Sequence, residues 1–196
     1  MSAKVKIAVF ASGSGSNFVA IEEACRNGEV NAEVALLITD KPAAYVVERA
    51  RALNIPVAAF SPKAYTSKAA YEKAILQRLH ESDVEWLVLA GYMRLIGDTL
   101  LHAYPNRIVN IHPSLLPSFP GKDAIGQAVK HGVKVTGVTV HLVDEGMDTG
   151  PILAQRAVDI VPGNMEKTAE KIHAVEHVLY KETLQLLLNE EVNMDA

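Results

Sequence analysis

The residues of this sequence best suited to chemistry are an amide and an imidazole two positions apart, Asn110 and His112. They end an apolar run that begins at Ile108 and is typical of a buried strand. Because alternate side chains of a strand project to the same face, both would point to one side. Such a pair could polarise a carbonyl and move a proton. For an N-x-H taken alone, the favoured alternative is that both side chains satisfy backbone groups at a strand end.

A carboxylate that could join this pair lies in the acidic loop D-E-G-M-D-T-G at 144–150. Asp148 is its best candidate for chemistry, because glycine and proline neighbours would hold it in a defined turn. A carboxylate beside His112 would orient the imidazole and favour its charged form. The spacing departs from the D-x-D-x-D-G pattern, so calcium is not indicated. The alternative is a solvated acidic turn.

A third candidate is the glycine-rich turn S-G-S-G-S-N at 12–17, which joins an apolar run to a segment of helical periodicity. A strand, a glycine-rich turn and a helix together can cradle a phosphate group. The turn is not a Walker loop, because no G-K-[ST] follows it. Phe18 also stands where a dinucleotide fingerprint needs its third glycine. We predict an anion site here rather than a merely tight turn.

The segment from His173 to His177 matches H-x-x-E-H, the inverted zinc-peptidase motif. Two histidines four positions apart share a helix face, so the geometry permits a metal site. A third ligand would have to follow the motif, where only four acidic residues remain. We regard the match as accidental and expect no metal.

The segments that position these residues alternate between strands and helices over the first two thirds of the chain. This alternation predicts an α/β fold with a mostly parallel, twisted sheet and right-handed crossovers. Ligands bind beyond the carboxyl ends of parallel strands, so the 12–17 turn, the 92–95 turn and His112 would share one rim. The last third predicts an antiparallel extension of the sheet and a long amphipathic helix or helix pair. The predicted strands are 4–11, 33–39, 55–60, 86–90, 108–112, 133–143 and 151–161, and the predicted helices are 18–26, 43–53, 67–80, 100–104, 123–131 and 165–188.

Length and composition restrict the class of protein. The chain has 196 residues, of which 49% are hydrophobic, which suits a single domain. A net charge of −4 gives no basic footprint for nucleic acid. The sequence contains no run long and apolar enough for a membrane helix, and its start lacks a signal-peptide cleavage region. The single cysteine, Cys25, excludes an internal disulfide and suits a small buried side chain. We expect a cytoplasmic protein with one domain over 1–189 and a frayed tail over 190–196.

Taken together, these segments are similar to those of the folate-dependent phosphoribosylglycinamide formyltransferases of purine synthesis. The resemblance extends from Lys6 to about Leu188. Methionyl-tRNA formyltransferases and formyltetrahydrofolate deformylases share the central motif but carry a further domain, so a chain that starts at its first strand fits them less well. The segments that carry the resemblance are A-S-G-S-G-S-N at 11–17, L-A-G-Y-M-R at 89–94, N-I-H-P-S-L-L-P-S-F-P-G at 110–121, V-T-V-H-L-V-D-E-G-M-D-T-G-P at 138–151 and V-E-H at 175–177.

The resemblance implies that two small molecules are the substrates. The formyl group of 10-formyltetrahydrofolate would pass to the amine of glycinamide ribonucleotide through a tetrahedral intermediate, without a metal or a covalent enzyme intermediate. The implied catalytic residues are Asn110, His112 and Asp148. The implied ribonucleotide contacts, mainly in the amino-terminal half, are Gly15, Ser16, Asn17, Arg107 and Glu176. The implied folate contacts are Lys68, Met93, Arg94, Leu95, Val143 and Asp144.

Some features stay open at this point. The resemblance makes Leu116–Pro117 a candidate cis peptide bond, whereas Lys122–Ile125 departs from relatives that carry two histidines there. His141 could form a wall of the site or be a satisfied sheet histidine. The sequence does not decide whether the protein forms a homodimer. A deformylase, which gives the formyl group to water, and a non-catalytic nucleotide-binding module are the alternative functions.

Overall fold

The computed structural model describes the backbone of residues 3–194 and the side chains of residues 3–189. The chain forms a seven-stranded sheet with helices on both faces. The strands are β1 (Val5–Phe10), β2 (Ala32–Thr39), β3 (Val57–Ala59), β4 (Trp86–Leu89), β5 (Ile108–His112), β6 (Val135–Leu142) and β7 (Ile152–Asp159). The helices are α1 (Ser16–Arg26), α2 (Tyr45–Ala52), α3 (Lys68–Glu81), α4 (Asp98–Ala103), α5 (Ala124–His131) and α6 (Met165–Met194), with a 3₁₀ turn at Pro62–Ala64.

The strand order is β3-β2-β1-β4-β5-β6-β7, and this confirms the predicted α/β architecture. Strands β1 to β5 are parallel, whereas β5 pairs with β6 and β6 with β7 in antiparallel fashion. The chain order reverses direction between β1 and β4. The carboxyl ends of these two strands therefore flank the crevice in which an open α/β sheet binds its ligands.

Two hydrophobic layers cover the sheet because the buried strands are apolar on both faces. Along β1, Ile7 and Val9 face one layer, and Ala8 and Phe10 face the other. The first layer contains residues of α1, α2 and α6, and the second contains residues of α3 and α4. Cys25 lies in the first layer at 3% exposure. Burial raises the pKa of its thiol to about 12, so the side chain serves packing rather than nucleophilic chemistry.

Several element boundaries differ from the prediction. Strand β3 is only three residues long, since Pro56 cannot donate to a strand ladder. The last helix is a single element that continues to Met194, because no glycine or proline interrupts it. Its backbone is thus helical over 190–194, while residues 195–196 lie outside the described part of the chain. The fraying of this end stays a prediction. None of the described helices is long and apolar enough to cross a bilayer.

Candidate active site

A cleft of about 460 Å³ opens at the carboxyl ends of β1, β4 and β5. Its walls come from the glycine-rich turn, from the turn after β4, from the end of β5 and from the loop between β6 and β7. Helix α6 closes one side with His173 and Glu176. Segments far apart in the sequence therefore meet at the rim predicted from the strand pattern.

His112 ends β5 and is 6% exposed. Its Nε2 lies 2.9 Å from the carbonyl oxygen of Phe119, and its Nδ1 lies 3.6 Å from Oδ2 of Asp148. The first distance is that of a hydrogen bond, and the second is that of an ion pair. Carbonyl and carboxylate oxygens can only accept, so both ring nitrogens face acceptors. The ring is therefore held in one orientation, with a carbonyl at one nitrogen and a carboxylate at the other.

Asp148 is held in place by its own loop and by the loop that follows β5. It adopts a left-handed backbone conformation, with φ at 56°. The amide of Gly121 donates to its Oδ2 at 2.8 Å, and its Oδ1 lies 3.8 Å from Nε2 of His141. The close approach of Gly150 to the carbonyl of Leu142 leaves no room for a Cβ and fixes the end of this loop. The carboxylate is thus directed at two imidazoles.

Asn110 and His141 are direct partners across β5 and β6. The Nδ2 of Asn110 lies 3.3 Å from Nε2 of His141, whose Nδ1 lies 2.9 Å from the carbonyl oxygen of Leu142. Since that carbonyl must accept, Nδ1 carries a hydrogen, and Nε2 faces both the Asn110 amide and the Asp148 carboxylate. His141 is therefore a wall of the site that orients Asn110. The sequence predicted the antiparallel strand β6 but not its register against β5, so it could not show that His141 lies opposite Asn110.

The glycine-rich turn delivers helix α1 to the cleft. Gly15 has φ at 80°, and a Cβ there would lie 2.8 Å from Cβ of Val46, so the position requires glycine. Ser16 and Asn17 form the first turn of α1, whose backbone amides lack partners within the helix. All three residues line the cleft. Such a helix start suits an anion.

Asn17 and Glu176 connect this turn to helix α6. The Nδ2 of Asn17 donates to Oε2 of Glu176 at 2.7 Å, and Nδ1 of His173 lies 3.3 Å from Oε1 of the same carboxylate. The hydrogen bond that His173 donates to Glu176 raises the pKa of His173 above its ordinary value. Among the described residues, no hydrogen-bond partner meets the buried Oδ1 of Asn17. The pair presents polar groups to a ligand next to the anion site.

The opposite end of the cleft is more apolar. Met93 and Leu95 are 56% and 50% exposed, and Val143 lines the same wall. Arg94 separates this wall from a second cavity of about 470 Å³, which Lys68 also lines. The predicted folate residues other than Asp144 therefore lie in or beside one apolar region with two cations at its edge.

Two predicted site residues lie elsewhere. Arg107 precedes β5 and lies at the amino-terminal edge of the sheet, whereas the cleft is at the carboxyl edge. The five residues of β5 span about 16 Å, so Arg107 lies far from the glycine-rich turn. Asp144 does not line the cleft either. Its Oδ1 accepts from the Gly146 amide at 3.0 Å and from the Thr149 hydroxyl at 2.6 Å, so this carboxylate stabilises the loop.

The loop after β5 is ordered by hydrogen bonds of its own. The predicted cis peptide bond at Leu116–Pro117 is present. Thr139 donates to the carbonyl of Ser114 at 2.7 Å and accepts from the amide of Leu116 at 3.1 Å. In the divergent segment 122–125, Asp123 caps helix α5 by accepting from the amide of Gly126.

The described residues contain no group of three or more His, Cys, Asp or Glu side chains arranged to hold a metal ion. On α6, His173 pairs with Glu176 instead, and burial lowers the pKa of His177. The absence of a metal from the functional protein stays a prediction.

The family model described as formyl transferase matches residues 5–184 of this chain. The chain is 57% identical over 184 residues to phosphoribosylglycinamide formyltransferase of Bacillus subtilis, covering 93% of this chain and 94% of that protein. Among solved structures, glycinamide ribonucleotide transformylase 1 from Geobacillus kaustophilus is 61% identical with a TM-score of 0.92, covering 94% of this chain and 99% of that one. Its counterpart from Symbiobacterium toebii is 44% identical with a TM-score of 0.94, covering 97% and 90%.

Proposed function

This chain belongs to the formyl transferase family, and we propose that it transfers the formyl group of 10-formyltetrahydrofolate to the amine of glycinamide ribonucleotide. It is a formyltransferase of purine biosynthesis that acts on small molecules. The observation that carries the proposal is the position of Asn110, His112 and Asp148. They lie in one cleft, between a helix start suited to phosphate and an apolar wall suited to a folate.

The acceptor half of the cleft suits a ribonucleotide. The amides of Gly15, Ser16 and Asn17 would hold its phosphate, because the helix start offers donors and a favourable dipole. Glu176 and the unpartnered Oδ1 of Asn17 lie next to this position and can accept from hydroxyl or amine groups. The amine would then be directed toward His112.

The donor half of the cleft suits a folate. Met93, Leu95 and Val143 provide apolar surface for a flat ring system. Arg94 and Lys68 lie at the edge of this surface, where cations can meet the carboxylates of a glutamate tail. The formyl carbon would lie between this surface and Asn110.

Asn110, His112 and Asp148 are placed to support direct attack of the ribonucleotide amine on the formyl carbon. The amine nitrogen bonds to the formyl carbon, and the carbonyl electrons move to the oxygen, which accepts a hydrogen bond from Asn110 and faces the positive charge of His112. Collapse of this intermediate re-forms the carbonyl and breaks the bond to the folate nitrogen, which receives the proton that the amine loses. Asp148 keeps His112 charged and oriented, and a water held by its carboxylate can carry that proton. No covalent bond between a substrate and the protein forms at any step.

The test follows folate absorbance with a formyl-folate donor, with and without glycinamide ribonucleotide. We expect release of the deformylated folate only when the ribonucleotide is present. Release at the same rate without the ribonucleotide would indicate a hydrolase, and binding without any turnover would indicate a nucleotide-binding module. Either result would overturn the proposal.

A further inference from the structure

We infer that Ser12 and Asp40 are positioning residues that link the two halves of the cleft, so that binding of one substrate favours binding of the other. This inference rests on the proposed function, because it assigns a ribonucleotide to the glycine-rich turn and a folate to the turn after β4. Neither residue lines the cleft, and both lie beneath its floor at the ends of adjacent strands.

The link is a chain of hydrogen bonds across the ends of β2, β1 and β4. The Ser12 hydroxyl donates to Oδ1 of Asp40 at 2.5 Å and accepts from the amide of Met93 at 3.0 Å. The other carboxylate oxygen, Oδ2, accepts from Nε of Arg94 at 3.1 Å. The backbone amide of Ser12 also donates to the carbonyl of Gly91 at 3.1 Å. The two side chains thus hold Met93 and Arg94, and the Ser12 backbone amide holds Gly91, in the turn that frames the folate.

Burial makes this link strong. Ser12 is 2% exposed, and the Asp40 side chain is 3% exposed. A buried carboxylate is costly unless it is paired and hydrogen-bonded, so Asp40 holds both its donors firmly. Arg94 is 46% exposed, which leaves its side chain accessible to a ligand while Nε is anchored. Removal of the Ser12 hydroxyl or of the Asp40 charge should therefore loosen the turn after β4 and leave the hydrophobic core in place.

Ser12 also belongs to the acceptor half. It is the first residue of the glycine-rich turn, and the carbonyl of Gly13 accepts from the amide of Val46 at 3.0 Å. A phosphate that orders residues 13–17 therefore orders the backbone of Ser12. The same side chain then presents its hydroxyl to Met93. Ordering one turn lowers the cost of ordering the other, which is positive coupling between the two substrates.

The coupling is measured by calorimetric titration of glycinamide ribonucleotide, alone and with a saturating folate analogue that lacks the formyl group. We expect the analogue to tighten ribonucleotide binding by about fivefold or more in the unmodified protein, within the usual range of couplings. In Ser12→Ala and in Asp40→Asn the enhancement should fall below about twofold. Titration of the analogue with and without ribonucleotide must return the same factor, because coupling is reciprocal.

The matched control is Glu81→Gln, which breaks an acid–arginine pair of 3.2 Å on the exposed face of α3 and should leave the coupling intact. A merely structural role would lower the melting temperature of Ser12→Ala and leave the enhancement unchanged. Should a buried variant fail to fold, the same titrations are made with Arg94→Lys, which removes the Nε contact to Asp40 at a half-exposed position. The enhancement should fall in this variant too. Independent binding in the unmodified protein, or full coupling in the folded variants, would overturn the inference. If the unmodified protein transfers the formyl group but shows no coupling, the inference fails and the proposed function stands. If it does not transfer the formyl group, the proposed function itself fails.

Discussion

The partners of the site histidines determine the position of each ring. His112 faces acceptors at both ring nitrogens, and His141 faces an acceptor at Nδ1 and the Asn110 amide at Nε2. Asp148 lies between the two imidazoles, with one carboxylate oxygen near each ring. One carboxylate therefore positions both rings, and His141 in turn positions the Asn110 amide.

The two histidines of α6 give a prediction at the same scale. The hydrogen bond that His173 donates to Glu176 raises the pKa of His173 above 6.5, and burial lowers the pKa of His177 below it. The contribution of His173 to stability is full below pH 6.5 and is lost as pH rises through its raised pKa. That of His177 is present above pH 6.5 and is lost as pH falls through its lowered pKa.

An NMR titration of the imidazole resonances, assigned with His173→Gln and His177→Gln, checks this order. We expect the two midpoints on opposite sides of 6.5, with His173 the higher. In Glu176→Gln the His173 midpoint should fall, because its hydrogen-bond partner loses its charge. Coincident midpoints, or a higher value for His177, would contradict the described geometry.

At the scale of elements, helix α6 is attached to the catalytic strands by one buried tyrosine. Tyr180 is 1% exposed, and its hydroxyl donates to the carbonyls of Leu89 in β4 and Val109 in β5, at 2.7 and 3.1 Å. The same helix carries Glu176 one turn earlier. The bond therefore fixes the distance between the acceptor side of the cleft and the strand that carries Asn110 and His112.

We expect Tyr180→Phe to lower the free energy of unfolding by about 1–3 kcal/mol, because two buried carbonyls lose their shared donor. Urea unfolding followed by circular dichroism measures this. The matched control is Tyr45→Phe, at a position 54% exposed, which should change stability by no more than about 0.5 kcal/mol. Equal stability of the two variants would show that the buried hydroxyl contributes nothing.

At the scale of the whole molecule, periodicity and strand order predicted most of the architecture. The alternation of strands and helices predicted a parallel sheet, whose strands all end at one rim. The glycine-rich turn and His112 were therefore expected at that rim, where the structure has them. The resemblance supplied the role of Asp148. Contacts set by register were beyond sequence reasoning, since pairing of Asn110 with His141 depends on how β6 aligns with β5.

Arg107 was predicted as a ribonucleotide contact. Its position before β5 places it at the amino-terminal edge of a parallel strand, whereas the cleft lies at the carboxyl edge. Asp144 was predicted as a folate contact from the resemblance. Its carboxylate accepts from the Gly146 amide and the Thr149 hydroxyl of its own loop, and loop geometry of this kind is not encoded in a periodic pattern.

The most direct test of the account is the rate of formyl transfer by His112→Ala in a single turnover, with ribonucleotide affinity measured in parallel. We expect transfer to slow by about 10²–10³-fold, because a positive charge near the oxyanion is lost, while affinity changes little. His102→Ala, at an exposed position of α4, should transfer at close to the unmodified rate. Transfer by His112→Ala within about tenfold of the unmodified protein would contradict a catalytic role for this imidazole.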